Sequence, residues 1–262
     1  MKIDLQNKNA LVCGSTQGIG KATAIALASS GANVTLVARN EEKLKQVKAT
    51  LNVENSQHHQ YLVADFQDPT GLANKVKEAV DSGTTFHILI NNTGGPPAGT
   101  VFSASIEAFE NAFTQHLKCN HLLAQAVVPG MQSASYGRIV NVISTSVKQP
   151  LDGLGVSNTI RGAVANWAKT MANELAAFGI TVNNVLPGAT ATERLASIIR
   201  NKASKTGKSE DEVSETMKNS VPAKRFAQPE EIANVIAFLS SELASYVTGI
   251  NVPVDGGRTK SL

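Results

Sequence analysis

Short apolar runs alternate along the chain with amphipathic stretches, and that alternation predicts its elements. Asn9–Cys13, Asn33–Arg39, Tyr61–Asp65, Phe86–Asn91, Gly137–Ser144, Ile180–Pro187 and Ile250–Asp255 are apolar runs of strand length. Lys21–Ser29, Asn40–Lys48, Gly71–Val80 and Ser105–Gln132 fall between them and read as helices. From Val156 to Leu175, Ile160, Val164, Ala168 and Met171 recur at steps of three and four, the apolar face of a buried helix. Asn40 before Glu41 and Glu42 supplies a cap and an acidic first turn, and Pro229 opens a further helix. Seven strands alternating with helices predict an α/β fold, a doubly wound parallel sheet in a single domain over 1–262. One stretch breaks the rhythm. Thr192–Ala223 is helical and highly charged, without a strand, and follows strand six at the carboxyl edge of the sheet. Ligands bind at that edge in open α/β sheets, so about 190–223 reads as a lid over a substrate. A solvated helical insertion is the plainer alternative.

Composition narrows this picture by exclusion. Across 262 residues, 42% are hydrophobic and 17% charged, enough apolar content for a large core. A net charge of +3 is too small and dispersed to argue for a nucleic-acid or membrane partner. Cys13 and Cys119 are the only cysteines, and the histidines show no ligand spacing, so neither disulfides nor a metal site is expected. The polar start and the absence of a long apolar run fit a cytoplasmic protein without a membrane span.

The chemistry begins where the first strand ends. Gly14, Gly18 and Gly20 follow it directly, and a helix follows them. Strand, glycine turn and helix make a nucleotide-binding unit: the backbone can approach closely, and free N–H groups at the helix start attract a pyrophosphate. The spacing Gly-x-x-x-Gly-Ile-Gly is not the commoner G-x-G-x-x-G, and it resembles that of the short-chain dehydrogenase/reductase family. Four further stretches extend the resemblance over nearly the whole chain. They are Asp65-Phe66 after strand three, Asn91-Asn92-Thr93-Gly94 after strand four, Pro187-Gly188 with Thr190 and Thr192, and a C-terminal signature around Arg225 and Asp255. The resemblance implies a Rossmann fold and a dinucleotide held by Gly14, Thr16, Gln17, Gly18, Ile19 and Gly20. It also implies that Asp65 and Phe66 bracket the adenine, Asn92 and Gly94 lie by its ribose, and Pro187, Gly188 and Thr190 place the nicotinamide carboxamide. Strand two ends without an acid, and Arg39 follows, its donor fork suited to a 2′-phosphate. The cofactor reads as NADP, with NAD as the alternative.

At the catalytic positions the chain departs from its family. Members carry Ser, then Tyr as proton donor, then Lys four residues on. Ser144 is present, but the tyrosine position holds Ser157 and the lysine position Arg161. The three tyrosines, Tyr61, Tyr136 and Tyr246, are followed four residues later by Asp65, Val140 and Ile250. The family's helix asparagine aligns with His116. Serine cannot be tuned toward neutrality as a phenol can, and arginine holds its proton too firmly to pass it on.

Three functions follow from this. The first is a carbonyl reductase or hydroxy dehydrogenase resembling the 3-oxoacyl-acyl-carrier-protein reductases, with Ser144, Ser157 and Arg161 as an atypical site. Water, His116 or Lys148 would then supply the proton. The second is a catalytically silent dinucleotide-binding sensor or assembly subunit, and the third a non-redox enzyme. The partners expected are a small carbonyl or alcohol substrate and, through Phe109–Val128 and Val156–Leu175, other copies in a homodimer or homotetramer.

Overall fold

Alternate residues of each strand point to opposite faces, and helices cover both. In chain order the strands are β1 (Asn9–Cys13), β2 (Asn33–Ala38), β3 (Gln60–Val63), β4 (Ile88–Asn91), β5 (Gly137–Val142), β6 (Ile180–Pro187) and β7 (Asn251–Val254). They belong to a computed structural model that describes residues 2–261. One seven-stranded sheet results, in the order β3-β2-β1-β4-β5-β6-β7, and every neighbouring pair is parallel. Ala10 and Val12 of β1 pack with α1 (Gly18–Ser29) and α9 (Pro229–Leu239) through Leu27, Ile232 and Ile236. Leu11 and Cys13 pack on the other face with α3 (Pro69–Asp81), α5 (Cys119–Ser133) and α6 (Gly155–Leu175), through Leu72, Leu123 and Ala168. Burial on both faces explains why the strands read as continuous apolar runs rather than alternating ones.

The order of connection positions the site. The chain winds outward from β1 through β2 to β3, then crosses back to β4 on the other side of β1. The carboxyl ends of β1 and β4 therefore diverge at a switch point, where such sheets leave a crevice. Side chains close the starts of five of the α-helices. Asn40 caps α2 (Glu41–Lys48), Asp68 caps α3, and Ser105 caps α4 (Ile106–Phe113). Thr192 caps α7 (Glu193–Thr206), and Ser209 with Glu212 forms a capping box on α8 (Glu210–Asn219). These last two helices fill the stretch anticipated as a lid.

Several expectations need correction. The single helix anticipated over Ser105–Gln132 is two helices, α4 and α5, joined by a π-helical turn over Thr114–Lys118. A π turn inserts one residue into the ladder, which a period of about 3.6 residues cannot reveal. β3, β4, β5 and β7 are shorter than their apolar runs, β5 stopping at Val142 rather than Ser144. β3 and β5 lose the carboxyl ends of their runs to the loops that follow, whereas β4 starts late, at Ile88. α1 starts at Gly18, three residues before the expected Lys21, so the last two loop glycines belong to its first turn.

Candidate active site

The glycine loop is shaped by close backbone approach. Gly14 has φ +59°, and a Cβ on it would lie 2.5 Å from the Asn92 carbonyl oxygen. On Gly20 a Cβ would lie 2.1 Å from the Gly14 carbonyl oxygen. The Asn92 amide clasps this turn from β4, donating to Cys13 O at 3.3 Å and Gly14 O at 3.2 Å. α1 has neither a side-chain cap nor an acidic residue in its first turn, and it starts directly at the glycine loop. Its leading N–H groups and positive dipole end are thus left for an anion. Thr16 and Ile19 are half-buried and Gln17 is exposed at this opening.

The adenine end lies along β2 and β3. Arg39 is exposed and faces Asp65 at 3.9 Å, a loose surface pair that leaves its fork open to a phosphate. Phe66 is 8% exposed, and its ring packs in the core with Leu72 and Cys119. Only its backbone can border a base. Of the expected carboxamide segment, Gly188 donates to Val254 O at 2.9 Å and packs on Asp255, which fixes it to β7. Thr190 is buried, and its hydroxyl donates to Gly188 O at 3.1 Å. A Cβ on Gly94 would meet nothing within 4 Å, so that position is open on the crevice side.

Ser144 follows β5, and its Oγ accepts from Ser146 N at 3.1 Å. With the oxygen so engaged, the hydroxyl proton is free to point at an incoming carbonyl oxygen. Ser157 and Arg161 are four residues apart on α6 and so share a helix face. Arg161 is 7% exposed, and its Nη1 donates to Val142 O at 3.1 Å, tying α6 to the end of β5. Burial, reinforced by the charge of Arg194, pushes its pKa down to about 10, so it stays cationic at neutral pH. None of the three tyrosine hydroxyls is bonded to these residues. Tyr61 donates to Glu41, Tyr136 donates to Ser240 O, and Tyr246 is fully exposed.

His116 is one of three proton sources that the sequence offers, and a packed helix residue is the plainer reading of it, which its setting bears out. It sits in the π turn, 1% exposed, with Nδ1 2.6 Å from Thr93 Oγ1 and Nε2 unpartnered. Burial, then the charge of Arg161, pushes its pKa down to about 2. A neutral, buried imidazole is a poor proton donor at pH 7, which argues against the acid role anticipated for it. Two contacts had no sequence signal beyond residue type. Thr192 Cγ2 would lie 3.0 Å from a Cβ on Gly18, so the start of α7 leans on the glycine loop. Arg194 Nη2 donates to Pro96 O at 2.7 Å, which ties the same helix to the loop after β4. Lys148 lies on the turn after β5. Among the described residues no group of acidic, histidine or cysteine side chains is placed to hold a metal ion. No helix there is long and apolar enough to cross a membrane.

Taken together, the crevice offers an anion cradle at one end and, at the other, a hydroxyl donor beside a buried cation. Known proteins resemble this chain over nearly its whole length. Residues 14–259 match the family described as Enoyl-(Acyl carrier protein) reductase. The NADPH-dependent reductase BacG of Bacillus subtilis is 30% identical over 259 residues, covering 98% of this chain and 100% of that protein. The 3-oxoacyl-[acyl-carrier-protein] reductase FabG of Aquifex aeolicus is 31% identical, covering 98% and 99%. Among solved structures, L-sorbose reductase from Gluconobacter frateurii complexed with NADPH and L-sorbose superposes with a TM-score of 0.93 at 30% identity, covering 100% of both chains.

Proposed function

The chain belongs to the short-chain dehydrogenase/reductase family, and from that premise we propose that it is an NADP-dependent carbonyl reductase or hydroxy dehydrogenase, 3-oxoacyl reductase-like, with Ser144, Ser157 and Arg161 at its centre. One observation carries this reading: the uncapped start of α1 follows β1, while a serine free to donate and a buried arginine sit at the end of β5, and β1 and β5 flank β4 at the same edge of the sheet. The glycine turn fits a dinucleotide, since a side chain on Gly14 or Gly20 would collide with the turn's own backbone and force it out of this shape. Gly14, Thr16, Gln17, Gly18, Ile19 and Gly20 would hold the pyrophosphate, Arg39 the 2′-phosphate, and Asp65 and the Phe66 backbone the adenine. Asn92, Gly94 and Arg161 would hold the riboses, and Pro187, Gly188 and Thr190 the carboxamide. When bound, NADPH supplies a hydride. Ser144 then donates its hydroxyl proton in a hydrogen bond to the substrate oxygen, and the Arg161 charge stabilises the oxyanion as it develops. A water reached through Ser157 gives the proton that the family takes from tyrosine. α7 and α8 act as the lid, and copies of the chain associate as a homodimer or homotetramer. Cys13 and Cys119, both buried and unpaired, suit a reducing cytoplasm.

A second reading is favoured by the neutral His116: a dinucleotide-binding protein without turnover, because no near-neutral acid faces Ser144. Calorimetry with NADPH and NADH, followed by a carbonyl panel in the same samples, separates the two. The reductase reading expects NADPH to bind more tightly and turnover to fall in Ser144→Ala and Arg161→Ala. Loss of a general acid typically costs about 10²–10⁴ in rate, so Ser157→Tyr with Arg161→Lys should raise kcat within that range. Tight binding with no turnover in either form leaves the silent protein.

A further inference from the structure

Arg161 and Arg194 approach the crevice from different walls, and neither has an acidic partner among the described residues. Arg161 belongs to α6. It uses one N–H on Val142 O, and its remaining donors are unpaired yet not sealed in the core. Arg194 belongs to the first turn of α7. One of its N–H groups reaches Pro96 O, and its guanidinium lies over the loop after β4, with Nη2 3.5 Å from where a Cβ on Gly95 would be. The neighbouring carboxylate, Glu193, is paired with Arg200 instead. The two guanidinium groups are close enough for the charge of Arg194 to disfavour the charge on Arg161.

With no carboxylate paired to either group, both charges favour an anion at this edge. The phosphates of the dinucleotide have other partners: the pyrophosphate belongs to the start of α1, and a 2′-phosphate to Arg39 beyond β2. The first N–H groups of α7 offer little to a second phosphate, because Thr192 already caps them, accepting from Leu195 N. What Arg194 presents is one planar donor fork over the loop after β4, at the same carboxyl edge of the sheet as Ser144, a match for a carboxylate.

We propose that Arg194, backed by Arg161, binds a carboxylate of the substrate, so that the compound reduced at Ser144 is an oxo acid. This rests on the reductase reading above and deepens it. The reaction balances as an oxo acid, NADPH and one proton giving a hydroxy acid and NADP⁺. The C=O bond loses its π component, the nicotinamide is oxidised by loss of hydride, and the proton comes from water to the new alkoxide.

The test is binding rather than turnover. The protein saturated with NADP⁺ is titrated calorimetrically with 2-, 3- and 4-oxopentanoate, with their methyl esters, and with dihydroxyacetone phosphate. A charge-assisted hydrogen bond predicts that at least one acid binds about tenfold or more tightly than its ester. In Arg194→Gln that ratio should collapse to within about twofold, and in Arg194→Lys it should be partly retained, with the same melting behaviour in all three proteins. The proposal is overturned by equal binding of acid and ester, by a ratio that survives Arg194→Gln, by no acid binding below about 10 mM, or by dihydroxyacetone phosphate binding best. Adding NADPH to the same samples tests the underlying reading separately. Selective binding without turnover keeps the carboxylate site and removes the reductase, whereas turnover of neutral ketones with no preference for acids does the reverse.

Discussion

At the scale of single residues, His116 couples the site to pH. In the folded chain, burial and the Arg161 charge hold its pKa near about 2, whereas an exposed histidine titrates near 6.5. Between those values the unfolded chain binds a proton that the folded one refuses. The stability tied to neutral His116 is therefore fully present above pH 6.5 and falls as pH drops below it. The limiting slope is about 1.4 kcal/mol per pH unit for one group. Urea unfolding at about pH 7.5, 6 and 5 should show this decline, and His116→Asn, which cannot titrate, should flatten it by about one such slope. His87, lowered by half-burial and by Lys8, acts in the same direction and remains in the variant. Equal slopes in both proteins would mean that His116 is protonated when folded. Gly20 is a second such position. Its missing Cβ is occupied by the Gly14 carbonyl, so Gly20→Ala should cost about 1–3 kcal/mol by thermal melting and abolish NADPH binding. The glycine loop was legible because its spacing is local. The Thr93–His116 pair joins residues 23 apart and the Arg194–Pro96 contact residues 98 apart, separations that no local pattern encodes.

At the scale of elements, a row of asparagines crosses the sheet at its carboxyl end. Asn91, Asn141, Asn184 and Asn251 occupy matching positions on β4, β5, β6 and β7. Each amide donates to the next, at 2.8, 2.9 and 2.8 Å. Asparagine is disfavoured in strands, and here the ladder satisfies groups that burial would otherwise strand. All the donors point one way, which leaves Asn91 Oδ1 at the head of the row, buried and unpartnered. Asn141→Val would strip a partner from Asn91 and another from Asn184. Each orphaned group costs about 1–3 kcal/mol, so a loss of about 2–5 kcal/mol in urea unfolding is expected. Asn251→Val, at the half-buried end, strands one group only and should cost about half as much. Similar costs at both positions would show that the bonds do not act as a row. Each asparagine was legible inside its strand. The ladder was not, because it exists only once the parallel register is set.

At the scale of the whole molecule, several exposed apolar side chains lie on α4 and the loop before it. Val101, Phe102 and Ile106 are 55%, 100% and 68% exposed, and Phe113 at the end of α4 is 47% exposed. Copies of the chain are expected to associate through such a patch, which adjoins the Phe109–Val128 face anticipated for that role. It is also joined to the site. Gly99 N donates to Gly153 O at 2.8 Å, and Gly155 N donates to Gly99 O at 3.0 Å, so the loop before α4 is laced to the start of α6. The backbone at Val101 fits against Gly155 where any side chain would collide, at 2.4 Å from a Cβ there. α6 carries Ser157 and Arg161 within its first two turns, so covering the patch should steady the catalytic helix. Light scattering should therefore give a dimeric or tetrameric mass for the wild type. Phe102→Asp with Ile106→Asp should lower that mass and weaken NADPH binding, although neither residue belongs to the cofactor site. A monomeric wild type would remove the association, whereas a smaller assembly with unchanged NADPH affinity would keep the interface and cut its link to α6.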